Sequence, residues 1–204
     1  MPNSEQKNLF HKHLKKYFIV CYTIFILAFV LFVIIGRYNT SAMATAYSVM
    51  ESVIAGSGIT SKNLLVSTLM LFFNNLRVGV LCMCLGFLPF LFLPAVLLVL
   101  NAGISGLVIS YAASTTGISA GTLILRGILP HGIFEITAIV FAASLGLVLC
   151  EQLMLLIQRK PLMMPFHNTV AYAFLLLACV VVPLLIAAAI VENCITPLII
   201  SNIR

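Results

Sequence analysis

The chain has 204 residues, of which 62% are hydrophobic and 8% charged, and its mean hydropathy is +1.19. Eleven Lys and Arg and five acidic residues cannot coat a water-facing globule of this length, which excludes a soluble enzyme, a secreted disulfide scaffold and a disordered chain and leaves a polytopic membrane protein. The net charge of +6 is concentrated near the N-terminus, which points to a membrane surface as partner and not to nucleic acid.

Residues 1–17 read as a cytoplasmic amphipathic segment. Leu9, Phe10, Leu14 and Tyr17 recur at helical spacing, while Lys7, Lys12, Lys15 and Lys16 fill much of the remaining surface. This is the pattern of an interfacial helix held by anionic headgroups at about 1 kcal/mol per lysine. Residues 18–204 read as one transmembrane domain with five spans. The first, 18–35, is uncharged, and the Gly36-Arg37-Tyr38 that follows is not a small-residue cleavage site, so the segment is retained. The uncharged run 78–125 is long enough for two spans, 76–92 and 95–113, with Pro89 and Pro94 marking the reversal. The fourth span, 130–150, starts at Pro130, close to the first turn, where a missing donor costs least. The fifth is 168–190. Lysines before the first span, together with Arg159 and Lys160 between the fourth and fifth, set the N-terminus inside. The stretch from Arg37 to Lys62 and the tail ending at Arg204 then face out, and residues 38–61 form the largest outward surface.

Two apolar stretches, 64–73 and 123–129, are too short to span and precede polar interruptions, Asn74-Asn75-Leu76-Arg77 and Pro130-His131-Gly132-Ile133-Phe134-Glu135. They read as two broken half-helices, each leading into a span with a glycine, Gly86 or Gly146, followed by one more span. The fold class is therefore an all-α membrane helical bundle with an internal parallel repeat, in which Asn75 and His131 should align. Arg77 and Glu135 are costly in lipid, up to about 3 kcal/mol each at the bilayer centre. They are expected to face the interior and to meet directly or through His131 and the Asn74-Asn75 pair, with Arg126 as a rival partner for Glu135. His131 and Glu135 share a helix face, a spacing that permits a metal or proton site. A zinc protease motif would need a second His and a Glu beside the first, and His-Gly-Ile-Phe-Glu supplies neither. The competing reading is structural, with His131 capping the helix start and Glu135 serving backbone donors freed by the break. Asn101 reads as an interhelical hydrogen bond, Gly103 and Gly106 as close-packing points, and Pro130 and Gly132 as part of the break. No catalytic residue, metal ligand or cofactor is assigned.

The elements Phe72-Phe73-Asn74-Asn75-Leu76-Arg77, Asn101-Ala102-Gly103-Ile104-Ser105-Gly106 and Leu129-Pro130-His131-Gly132-Ile133-Phe134-Glu135 resemble, in order and spacing, the stage II sporulation protein M (SpoIIM) family over roughly residues 64–150. The resemblance implies a five-span protein of the cytoplasmic membrane. It also implies a non-enzymatic scaffold that assembles envelope or cell-wall partners, as the family's namesake holds wall-degrading enzymes during sporulation. This is the preferred functional reading, and a homo-oligomer is compatible with it. The alternative is a transporter or channel that uses Arg77, His131 and Glu135. The two differ in a physical property, because a transporter needs a hydrated cavity that reaches His131 and Glu135 whereas a scaffold can close them in a hydrogen-bonded cluster.

Overall fold

The computed structural model describes residues 3–57 and 63–201. The tip of the expected outward segment, 58–62, and the terminal Arg204 lie outside the described residues. Among the described residues there are six helices: α1 (Ser4–Tyr38), α2 (Thr40–Ser57), α3 (Leu64–Phe87, its last turn 3₁₀), α4 (Leu93–Thr116), α5 (Ala120–Ile157) and α6 (Phe166–Ile199). All but α2 are long and apolar enough to cross a membrane, so the bundle is all-α and polytopic with five spans.

The spans are longer than the hydropathy runs. Helix α1 starts at an Asn3–Gln6 capping box and, at 1.5 Å per residue, extends about 52 Å, well past a ~30 Å hydrocarbon layer. The basic segment is thus continuous with span one in a single helix. Its apolar side is covered by protein: Phe10 is fully buried with its ring edge-on to Tyr172 at 5.1 Å, and His11 Nε2 lies 2.8 Å from the Tyr172 hydroxyl. Lys12, Lys15 and Lys16 stay exposed, while Lys7 sits 6.0 Å from the Tyr172 ring. Nearby, His13 Nδ1 pairs with Glu151 at 2.9 Å and ties α1 to the end of α5.

The outward segment also differs from expectation. Its Ser, Thr and Gly content suggests a loop, but Thr40–Ser57 is helical because Met43, Ala46 and Tyr47, at i, i+3 and i+4, lie on one face. Met43 and Ala46 are buried, and Tyr47 stacks on Tyr111 of α4 at 4.2 Å. The reversal at Pro89 and Pro94 is formed by residues 88–92, with Phe90 and Phe92 in the left-handed region (φ 70° and 47°) and Pro94 in the first turn of α4.

Helix α5 is the central rod. From Ala138 to Cys150 every residue except Phe141 is buried. Lipid tails are as apolar as leucine, so close contact and dispersion hold such a bundle together more than water exclusion does. Small residues therefore mark the crossings. A Cβ on Gly86 would overlap the Gly146 carbonyl carbon at 2.7 Å and Cα at 2.8 Å, and one on Gly146 would strike the Cys82 carbonyl oxygen. Helices α3 and α5 thus cross backbone to backbone. On the other side of the bundle α4 lies on α1. A Cβ on Gly106 would stand 2.7 Å from the Phe29 carbonyl oxygen, and one on Gly103 3.2 Å from the Phe32 ring, while Ser110 Oγ donates to the Val33 carbonyl at 2.8 Å. The two glycines that mark the units of the expected repeat are those that touch.

Neither expected half-helix is broken off. Helix α3 runs straight through Asn74-Asn75-Leu76-Arg77, because a polar side chain does not disturb the i→i−4 ladder when it has somewhere to point. In α5 the interruption is a π-helical stretch, Leu123–Ile128, and the chain continues helically through Pro130. Helix α6 has two more such stretches, Leu177–Val181 and Val191–Ile195. Each of the three is followed, one residue later, by a proline: Pro130, Pro183 and Pro197. Proline lacks the N–H and its ring collides with the carbonyl four residues earlier, and a widened turn removes the collision while the helix goes on.

Candidate functional site

The widened turn before Pro130 in α5 packs against the last turns of α6, from Thr196 on, and the widened turn before Pro197 in α6 packs against α5 from Leu129 on. Beside these contacts is a cavity of about 380 Å³ lined from five spans and by Met50 of α2. Asn74, Asn75, Asn101, His131, Gly132 and Glu135 all line it, with Glu192 of α6 as a second carboxylate and Phe25 and Phe29 of α1 as the apolar wall. No lysine or arginine is among the lining residues.

The local folding explains these positions. Asn75 is buried with 7% of its surface exposed, and the Asn74 amide donates weakly to Asn75 Oδ1 at 3.5 Å. His131 and Glu135 are one turn apart on α5, so both side chains emerge on the cavity face. Gly132 lies beside them with no room for a side chain, since a Cβ there would stand 2.9 Å from Ile128 Cγ2. The π-helical turn of α6 rotates Glu192 into the same space and brings Thr196, buried at 6% exposure, against His131. His131 Nδ1 and Thr196 Oγ1 are 3.2 Å apart, and the Thr196 hydroxyl donates to the Val191 carbonyl at 3.3 Å. With its hydrogen directed at Val191, the hydroxyl oxygen accepts from Nδ1–H, which leaves the lone pair of the ring on Nε2. One ligand atom each of His131, Glu135 and Glu192 lies within 4.8 Å of the others. The neighbouring Asn193 fastens this turn of α6 to the start of α3. Its amide donates to Ser67 Oγ at 2.6 Å, Thr68 Oγ1 at 2.7 Å and the Leu64 carbonyl at 3.1 Å.

The other sequence-derived residues fall elsewhere. Arg77 is exposed on the outside of α3 and does not pair with Glu135; the ion pair among the described residues is His13–Glu151. Two residues are about 200° of helical rotation, so if Asn75 faces the cavity, Arg77 faces away. Arg126 is exposed as well, so neither expected cation reaches Glu135. Asn101 forms no interhelical hydrogen bond among the described residues and instead presents its side chain to the cavity, while its carbonyl accepts from Ser105 Oγ at 2.9 Å. His131 bonds to Thr196 and does not cap the helix start. Gly103 and Gly106 lie on the α1 contact, and Lys7, Lys12, Lys15 and Lys16 at the far N-terminal end.

Glu192 and Thr196 escape a reading that ends the fifth span at residue 190, where the polar pair Glu192-Asn193 resembles a membrane exit. The available signal is the apolar run Cys-Ile-Thr-Pro-Leu-Ile-Ile that continues past it. A carboxylate inside a run that resumes is inside the span.

No curated protein and no solved structure matches the chain. The family model described as Stage II sporulation protein M matches residues 18–197, a range that contains all five spans' cavity-lining residues from Phe25 to Glu192, and the chain belongs to that family.

Proposed function

We propose that this membrane protein is a transporter or channel for a cation, with the cavity around His131, Glu135 and Glu192 as its binding site. The observation that supports this reading is a cavity among the spans that gathers two carboxylates and a histidine, with no lysine or arginine in its lining. Two carboxyl groups this close in a low-dielectric setting cannot both stay ionised unless a cation joins them. A cavity that attracts a cation and can be reached by it has the parts a permeation site needs. The reading is non-enzymatic: the hydroxyl beside His131, that of Thr196, gives its hydrogen to the Val191 carbonyl and accepts from the ring, so the imidazole does not activate it as a nucleophile. It places the chain in the cytoplasmic membrane with the N-terminus inside, supported by the lysines of α1 and by Arg159 and Lys160 at the same end of the bundle. Exposed Lys12, Lys15 and Lys16 then face anionic headgroups.

Proteoliposomes with an imposed membrane potential test it, with charge movement recorded for H⁺, Na⁺, K⁺ and Mn²⁺ in turn. At least one cation should move faster than in protein-free vesicles, and Glu135→Gln should slow it at least about tenfold, since removing one of two charges forfeits more than ~1.4 kcal/mol of cation binding. Background flux with all four, or flux indifferent to Glu135→Gln, would reject the proposal.

A second reading, the scaffold, is supported by Arg77. It lies just past the middle of α3 on the outer surface, where an unpaired charge costs about 3 kcal/mol, and a carboxylate on a partner helix, from another envelope protein or a second copy, would remove that cost.

A further inference from the structure

We infer that the cation held in this cavity is a divalent first-row transition metal, bound by His131, Glu135 and Glu192. The inference rests on the cavity being a cation site and names the class of cation. Three features carry it. The first is reach. Ligands about 2.1 Å from one metal stand about 3 Å apart when adjacent and about 4.2 Å when opposite. The ligand atoms of the three side chains already lie within 4.8 Å of one another, so small side-chain rotations close the set. The second is orientation. Thr196 takes Nδ1–H of His131 while its own hydrogen goes to the Val191 carbonyl, which presents Nε2 as a lone-pair donor in the manner of the outer partners that orient ligating histidines. The third is charge. Two carboxylates balance a 2+ ion to neutrality, and the lining contains no lysine or arginine to compete.

The donor set selects within the divalent ions. An imidazole with two carboxylates suits Mn²⁺, Fe²⁺, Co²⁺ and Zn²⁺, whereas Mg²⁺ and Ca²⁺ take oxygen ligands alone. Three protein ligands leave positions open for water, and the cavity has room for on the order of ten waters. Asn74, Asn75 and Asn101 line the same space and can hold those waters by hydrogen bonds. A site with exchangeable waters releases its ion more readily than a closed four-ligand site, as passage of the ion requires.

The test uses the full chain purified in detergent, titrated with Co²⁺ and followed by its visible absorption, with Mn²⁺, Zn²⁺ and Mg²⁺ as competitors. Wild type should bind Co²⁺ with a spectrum showing nitrogen and oxygen ligands, displaced by Mn²⁺ and Zn²⁺ and not by equal Mg²⁺. Glu192→Gln should lose that signal. Thr196→Val, which touches no metal, should weaken binding about 10- to 100-fold, the range for an outer-shell partner, with an unchanged spectral shape. His11→Ala and His13→Ala, at the other end of α1, should leave it intact. Equal Co²⁺ binding by wild type and Glu192→Gln, or displacement by Mg²⁺ as easily as by Zn²⁺, overturns the inference; thermal melts of the metal-free variants confirm that each is folded. The outcome is separable from that of the flux experiment. Flux of another cation without Co²⁺ binding sinks the metal assignment and keeps the transport reading. Co²⁺ binding that needs Glu192, without flux of any cation, keeps the site and sinks transport.

Discussion

Gly86→Leu should abolish the folded bundle, seen as loss of the monodisperse species in detergent and of a cooperative thermal melt. The crossing of α3 and α5 brings the Gly86 position onto the Gly146 backbone, and Gly146 onto the Cys82 carbonyl. Overpacking a core usually costs about 1–3 kcal/mol because side chains can rotate away. Here the obstruction is main chain on both sides, so relief requires the two helices to separate, and the cost should exceed ~3 kcal/mol. Separation would also strip contacts from α5 along its buried length. The control is Gly79→Ala on the same helix, where a Cβ would meet Val181 Cγ1 at 3.5 Å and Ala142 Cβ at 3.8 Å, ordinary contact distances. That variant should melt within a few degrees of wild type. Equal behaviour of the two variants would remove the crossing from the account.

Glu192→Lys should have the opposite character: a protein at least as stable as wild type that no longer moves or binds a cation. The new ammonium would enter a cavity that contains Glu135 and no native lysine or arginine, and would supply in covalent form the positive charge that the carboxylates otherwise take from solution. The pairing can be read by a second substitution. In the Glu192→Lys background, Glu135→Gln leaves a buried ammonium without its partner and should lower stability by roughly 3–5 kcal/mol. In the wild-type background the same change relieves a repulsion between carboxylates and should be neutral or stabilising in the absence of metal. A Glu135→Gln effect of the same sign and size in both backgrounds would mean that residues 135 and 192 do not face each other.

The number of spans and the helical class follow from uncharged runs, because lipid admits only backbone that satisfies itself. Where the spans end does not follow from those runs. Charge alone sets the expected limits, and charged residues at helix ends here continue the helix on protein contacts, as Phe10 and Tyr172 do for the first turns of α1. Asn74 and Asn75 read as a break for the same reason, although a cavity on one side of α3 accepts them without any change in backbone. The cavity residues Asn74, Asn75, Asn101, His131 and Glu135 are legible as a group, since a polar residue within a span must turn toward protein or water. Their pairing is not legible. The sequence offers Arg77 as the natural partner of Glu135, and only the helical phase relative to Asn75 places it on the far side. The partner that the structure supplies instead, Glu192, carries the same sign as Glu135, an arrangement that pairwise charge matching would never propose. The prolines are the unread signal. Pro130, Pro183 and Pro197 each follow a widened turn within a continuous helix, and Glu192 lies in one of these turns while His131 and Thr196 stand just past two of them.

The convergence of Glu135 and Glu192 can be measured directly by cross-linking in native membranes. In a background with all six cysteines replaced, Glu135→Cys with Glu192→Cys should be joined in high yield by a short bis-thiol reagent, while Arg77→Cys with Glu135→Cys should remain unlinked. Efficient linkage of positions 77 and 135, with none between 135 and 192, would contradict the site described here and restore an arginine to its centre.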